Sequence, residues 1–500
     1  MKRYLALTLL TVLTAAALIA AAGGRAVENE PPTANQPAAK APASAKAAAT
    51  PKAPAYKTLW IKDVPHVRQK PDFCGEACAA MYLQRLGQAV DQDYVFDQSG
   101  LDPLAARGCF TKELAAALSN IGFKTGSVWY QIPVAKKAEY TEAHWKAMHA
   151  DLAAGVPSIV CMYYDDSEET TEHFRLILGY DAKTDEVLYH EPAAARGAYR
   201  RMKRSMLQKL WPLRHTAKQS NLIRLRLEPG TLKRGTPATT FTAADYAQHM
   251  MKLKKKLPPK GFTVVIQHPF VVIGDESAAM VKRRAVGTVK WSVDKLKQAY
   301  FTKDPRQIID VWLFKDKASY RKYTEEIFGD DPDTPYGYFS HTDQALIMNI
   351  ATGGGTLVHE IVHPFVDTNF SECPAWFNEG LGSLYEQSAE SNGRIVGRTN
   401  WRLAGLQKAI KAKEVPSFKA LCSTTTHEFY SKDPGTNYSQ ARYLCYYLQQ
   451  CGRLRKFYHQ FHANQRKDPS GYDTLQAVLG SKDMDKFHKD WEAYVLKLRF

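Results

Sequence analysis

Two short stretches of this 500-residue chain carry side chains whose types and spacing suit hydrolytic chemistry. The first reads His359-Glu360-Ile361-Val362-His363. Residues four apart share one face of a helix, so two imidazoles can meet one divalent cation, and zinc accepts such donors. Glu360 is then placed to take a proton from a metal-bound water. A catalytic zinc site needs a third protein ligand and leaves its fourth position to solvent. Glu379, in Asn378-Glu379-Gly380, is the candidate. It lies on an apolar helical segment from Trp376 to Tyr385 that would return antiparallel to the first helix. A histidine pair at this spacing arises by chance in long chains. The run Gly353–Gly355, the apolar flanks Leu357, Val358, Ile361 and Val362, and the distant glutamate together favour a metal site. Pro364 removes a backbone donor, so the helix is expected to kink or end there.

The second stretch runs from Val64 through Gln69 to Cys74-Gly75-Glu76-Ala77-Cys78. Cys74 opens what reads as an amphipathic helix, where the positive end of the macrodipole favours a thiolate and lowers the thiol pKa. An imidazole would complete the activation. His173, which leads the strand to Tyr180, is the best partner. The turn Asp181–Glu186 folds a second strand back and brings Glu191, just before Pro192, beside it as an orienting carboxylate. The competing reading pairs Cys74 with Cys78 or Cys109 and leaves a peptide-binding module.

The elements that must hold these residues follow from periodicity and turn signals. Helices are expected at Cys74–Leu86, Lys112–Ile121 and Glu142–Ala154, and strands at Ser158–Tyr163, His173–Tyr180, Val187–His190 and Leu222–Leu227. After a break at Glu228-Pro229-Gly230, a helix is expected at Ala243–Lys256. Strands follow at Phe262–Ile266, Phe270–Ile273, Ile308–Phe314 and Ala345–Ile350, and beyond Ala351 everything reads as helix and loop. The fold class is α+β in two domains, 57–230 and 242–500, joined by a linker over 231–241. Residues 1–22 read as a signal peptide or anchor: Lys2 and Arg3 precede an uncharged Leu- and Ala-rich run. Residues 23–56, rich in Ala, Pro and Lys, bury too little apolar surface to offset ordering and read as a disordered tether.

The arrangement His-Glu-x-x-His followed by Asn-Glu-Gly resembles the gluzincin peptidases, the thermolysin-like superfamily. The resemblance implies that His359, His363 and Glu379 bind zinc and that Glu360 activates water. It also implies that Ala345–Ile350 binds substrate backbone as an edge strand, and that a downstream tyrosine, Tyr438 first and Tyr443 second, steadies the oxyanion. The N-terminal half, over about 170 residues, resembles papain-like cysteine peptidases that cut double-glycine leaders from bacteriocins. That resemblance implies a Cys74–His173 pair with Gln69 lining the oxyanion hole. Glu191 stands where the family usually has Asp-Pro, one methylene longer.

An apolar fraction of 45% and a charged fraction of 24% are ordinary for globular protein. The net charge of +16 favours acidic surfaces such as membrane or cell-envelope polymers, to which the N-terminus would also tether the chain. No nucleic-acid recognition module is visible, and Gly353–Gly355 lacks the Lys-Ser/Thr of a phosphate loop. Eight cysteines permit disulfides if the chain is exported, with Cys445 and Cys451 close enough in sequence to pair. The expected protein is a periplasmic or secreted peptidase acting on peptides or proteins, with zinc as cofactor. The alternatives are an envelope-binding scaffold with degenerate sites and a peptidoglycan amidase.

Overall fold

Apolar side chains on both faces of the inner strands build two main sheets, both covered on their two faces. The computed structural model describes residues 56–235 and 240–500. The leader over 1–22 and, apart from Tyr56, the tether over 23–56 lie outside the described residues, as do positions 236–239 of the linker. Among the described residues no helix is long and apolar enough to cross a membrane.

The N-terminal sheet is antiparallel, in the order Trp129–Pro133, Gln219–Arg226, Ser158–Tyr163, Glu172–Asp181, Glu186–His190, Arg200–Lys203. Ile159, Cys161, Phe174 and Leu176 face the helices Cys74–Arg85 and Thr111–Ile121. Val160, Met162 and Ile177 face Lys137–Ala153 through Trp145 and Met148. The helix Cys74–Arg85 is buried without interruption from Gly75 to Leu83, so it is a core helix rather than the amphipathic one expected. Ala77, Ala79 and Ala80 are small enough for neighbours to approach it on every side.

The C-terminal sheet runs in the order Thr263–Gln267, Phe270–Gly274, Ile309–Phe314, Ala345–Asn349, Gly337–Ser340. Its three central strands are parallel and its outer pairings antiparallel. Phe270, Val272, Val311, Leu313, Leu346 and Met348 face the helix Gly355–Asn369. Val271, Ile273, Trp312, Phe314 and Ile347 face the helix Ala243–Leu253. The strand expected to be an edge, Ala345–Ile350, is paired on both sides; Gly337–Ser340 holds that edge instead. This outer strand is short and mixed in polarity, so no alternation marked it.

The histidine helix does not stop at Pro364 but continues to Asn369. Beyond Ala351 the described residues are helical except for the hairpin Ser388–Ser391 with Arg394–Gly397. A Cβ at Gly355, the first residue of the histidine helix, would overlap the carbonyl oxygen of Glu386. That close approach locks the start of the helix against the segment that follows Glu379. All eight cysteines are free. Cys445 points into the core while Cys451 is exposed at the end of the same helix, so the pairing allowed by their spacing does not form.

Gly355→Ala should destabilise the fold by about 1–3 kcal/mol, because a methyl group must displace main chain rather than a flexible side chain. A urea midpoint equal to that of the parent would contradict this packing.

Candidate active sites

Successive turns of the helix Gly355–Asn369 present His359 and His363, with ring centroids 4.8 Å apart. The helix Ala375–Leu384 returns beside them and carries Glu379, whose Oε2 lies 3.1 Å from His359 Nε2 and 3.9 Å from His363 Nε2. Gly382 permits this approach: a Cβ there would stand 3.3 Å from the His359 ring. The donor atoms of His359, Glu360 and His363 also lie within 4.8 Å of one another. Two carboxylates therefore border the imidazole pair, and their surroundings separate them. Glu379 is buried and held, whereas Glu360 is half-buried.

Glu379 Oε2 is buried at ion-pair distance from both rings yet makes no hydrogen bond. Its lone pairs are free to meet the two Nε2 atoms at a common point. Two nitrogens and one carboxylate oxygen in this disposition fit a zinc ion. Burial alone would raise the Glu379 carboxyl, but His363, His359 and the Tyr430 hydroxyl outweigh it and bring it to about 2. Burial opposes charge on His359, yet Glu379 and Glu386 hold its pKa up to about 10.

Several further residues support the imidazoles and Glu379. Glu386 Oε1 stands 3.3 Å from His359 Nδ1. Arg402 grips both Glu386 oxygens at 2.7 and 3.0 Å, and Asn400 Nδ2 donates to Oε2 at 2.9 Å. His363 Nδ1 is bonded to Asn378 Oδ1 at 2.9 Å. Outer carboxylates and amides of this kind orient metal-binding imidazoles. Glu386 was within reach of sequence reasoning, since it follows Glu379 by two helical turns. Tyr430 was not: its hydroxyl donates to Glu379 Oε1 at 2.5 Å from a short helix, Thr426–Ser431, with no spacing rule to the histidines. Tyr438 stands beside Tyr430, with ring centroids 6.2 Å apart, and burial followed by Glu379 pushes its phenol far up. Tyr443 is turned away: it is fully buried and its hydroxyl is bonded to the Asn400 backbone, so it is a packing residue.

The cysteine residues gather in a separate cleft of about 380 Å³ lined by Gln69, Cys74, Gly108, Phe110 and His173, among others. Cys74 is the first residue of its helix, and His173 lies on the central strand Glu172–Asp181. The returning strand pairs Leu176 with His190, which delivers Glu191 to the imidazole. His173 Nε2 and Glu191 Oε1 are 2.6 Å apart. The longer glutamate therefore reaches the ring, and Arg175 Nε fixes its other oxygen at 2.6 Å. Burial would raise the Glu191 carboxyl, but His173 and Arg175 hold it at about 2. With Nε2 so engaged, His173 keeps Nδ1 for a second partner. The thiol departs from expectation. Burial lifts Cys74 to about 12, and the backbone groups of Phe174 and Gly75 offset this only in part. Burial here works against the helix N-terminus, which alone would favour the thiolate.

A thiol, an imidazole and an ordered carboxylate on one cleft are the parts of a cysteine peptidase. Residues 61–219 match the Peptidase_C39 like family. The match supports a papain-like cysteine peptidase in the N-terminal half and covers Gln69, Cys74, His173 and Glu191. No curated protein matches the chain.

The Glu191 carboxyl lies below its ordinary value in the fold, so its contribution to stability is complete above about pH 4.5 and is lost as pH falls towards 2. Glu191→Gln should therefore be less stable than the parent at pH 6, and the gap should close by about pH 2–3 in urea titrations. A gap independent of pH would contradict the His173–Glu191–Arg175 pairing.

Proposed function

We propose that this protein is an exported peptidase with two hydrolytic centres, a zinc centre at His359, His363 and Glu379 and a thiol centre at Cys74 and His173. The observation that carries the zinc centre is the convergence of one buried carboxylate oxygen on two imidazole nitrogens. The resemblance to gluzincins supports the same reading. Zinc bound there would supply Lewis acidity, lowering the pKa of water and polarising an amide carbonyl. The chain's own residues do the rest. His359 and His363 are oriented by Glu386 and Asn378. Glu360, half-buried and next to the first ligand, accepts a proton and returns it to the leaving amine. Tyr430, whose hydroxyl donates to Glu379 Oε1, fixes that ligand, and Tyr438 beside it offers a phenolic hydroxyl where negative charge would develop on the carbonyl oxygen.

In the thiol centre His173 removes the Cys74 proton and Glu191 steadies the imidazole, with Gln69 directed to the oxyanion. Burial pushes the Cys74 thiol up, so removal of its proton falls to an imidazole on the cleft, for which His173 is the candidate. The same observation favours a second reading, in which the cleft grips a peptide without cutting it. Alkylation separates them: an active pair makes Cys74 the fastest-reacting thiol, while a gripping cleft leaves it no faster than Cys373.

Glu360→Ala should retain zinc by metal analysis yet lose on the order of 10²–10⁴ in chelator-sensitive peptide cleavage, while Cys74→Ala leaves that cleavage intact. Cleavage by Glu360→Ala at the parental rate would refute the zinc mechanism. Tyr438→Phe, with metal content unchanged, should lower kcat by about 10²-fold, as loss of an oxyanion donor does. An unchanged kcat would remove Tyr438 from that role.

A further inference from the structure

The family match ends at residue 219 and contains every residue lining the thiol cleft, yet the support of the cleft's rim does not end there. Two loops form its rim: 68–73, which carries Gln69 and leads into Cys74, and 107–111, which carries Gly108 and Phe110. Each is anchored on the helix Ala243–Leu253, beyond the matched segment.

That helix is buried on two faces. Ala244 and Ala247 belong to the N-terminal core with the thiol helix, whereas Tyr246, Met250 and Leu253 pack on the C-terminal sheet. A spacing of three on one side and of four and three on the other places the two sets on different faces of one helix. Its N-terminus is fastened to the first core, where Asp97 Oδ1 accepts the Ala244 N–H at 2.8 Å. Asp97 ends the helix Gln92–Asp97, whose first residue clamps loop 68–73. Gln92 Oε1 accepts the Lys70 N–H at 2.8 Å, and Gln92 Nε2 donates to the Arg68 carbonyl at 3.1 Å, on either side of Gln69. Gln248 Nε2 donates to the Pro71 carbonyl at 3.0 Å, three residues before the thiol.

The second rim loop is held in the same way. The turn Pro103–Ala105 packs against Ala243–Leu253, and Ala106 packs into the apolar cluster beneath the C-terminal sheet. From that anchor the chain enters Arg107–Thr111, where Glu76 Oε1 accepts the Cys109 N–H at 2.7 Å.

Building on the thiol-centre reading above, we infer that the helix Ala243–Leu253 buttresses the rim of the cysteine cleft and that Gln248 is a positioning residue for it. Gln248 touches no reacting atom. It restrains the Pro71 carbonyl, so that Gln69 and Cys74 are presented together. The zinc-bearing half is thereby part of the thiol enzyme's scaffold: residues 61–219 hold the lining of the cleft but not all of its support. Within this stretch the Phe73 N–H donates to the Lys70 carbonyl at 3.0 Å, and Gln248 adds a tie to the Pro71 carbonyl from outside the matched segment.

The test uses the full-length chain with Gln248→Ala and the near-isosteric Gln248→Glu, whose carboxylate cannot donate to a carbonyl. Three readouts are compared with the parent: hydrogen exchange of the amides at 69–74, the rate of Cys74 alkylation by iodoacetamide, and kcat and KM for thiol-dependent peptide cleavage. Both variants should raise exchange at 69–74 and lower kcat about tenfold with KM within twofold, as misplacement of reacting groups does. Chelator-sensitive cleavage and melting temperature should stay unchanged. Exchange and alkylation within twofold of the parent in both variants would overturn the inference. A parent chain without thiol-dependent cleavage would sink the peptidase reading alone, and the exchange and alkylation readouts would still decide the role of Gln248.

Discussion

A carboxylate held out of water among two imidazoles and a phenol sets the terms for the C-terminal half. Glu379 is buried, and a buried ionised group is tolerated only where partners meet it with good geometry. The arrangement around it answers that demand outward in steps. Tyr430 takes one oxygen and the two histidines face the other, with Glu386 behind His359 and Arg402 behind Glu386. The glycines at 355 and 382 exist to let these layers close. A methyl group at either would push the supporting segment away from the imidazoles.

The thiol cleft solves a related problem differently. There the buried carboxylate is Glu191, and its second oxygen is taken by Arg175 rather than by a phenol. The carboxylate is thereby held ionised between an arginine and an imidazole. Because Arg175 and His173 are on one strand and Glu191 follows the next, ordinary antiparallel pairing sets the geometry. The carbonyl of Pro192, next to Glu191, accepts the Gln69 N–H and ties the two sides of the cleft together.

Both centres rest on sheets whose two faces are covered, and one helix, Ala243–Leu253, covers part of each core. The described residues accordingly belong to one compact unit. A helix buried on two faces cannot move against one core without disturbing the other, since close-packed interiors transmit displacement.

Much of this was legible in the chain itself wherever a local rule applied. The strand Ser158–Tyr163 and the helix beginning at Cys74 follow from apolar runs and turn signals, and the His359–His363 pair follows from the pitch of a helix. The polar edge strand Arg200–Lys203 and the outer strand Gly337–Ser340 were not, because an edge need not alternate. Nor were Tyr430 on Glu379, Arg175 on Glu191, or Gln248 on the Pro71 carbonyl. The thiol shows the same division: its place at a helix N-terminus is a local property, but burial by the surrounding fold decides its pKa. Periodicity reports which face of an element is apolar; which distant side chain meets that face is set by packing, and packing exists only once the chain has closed on itself.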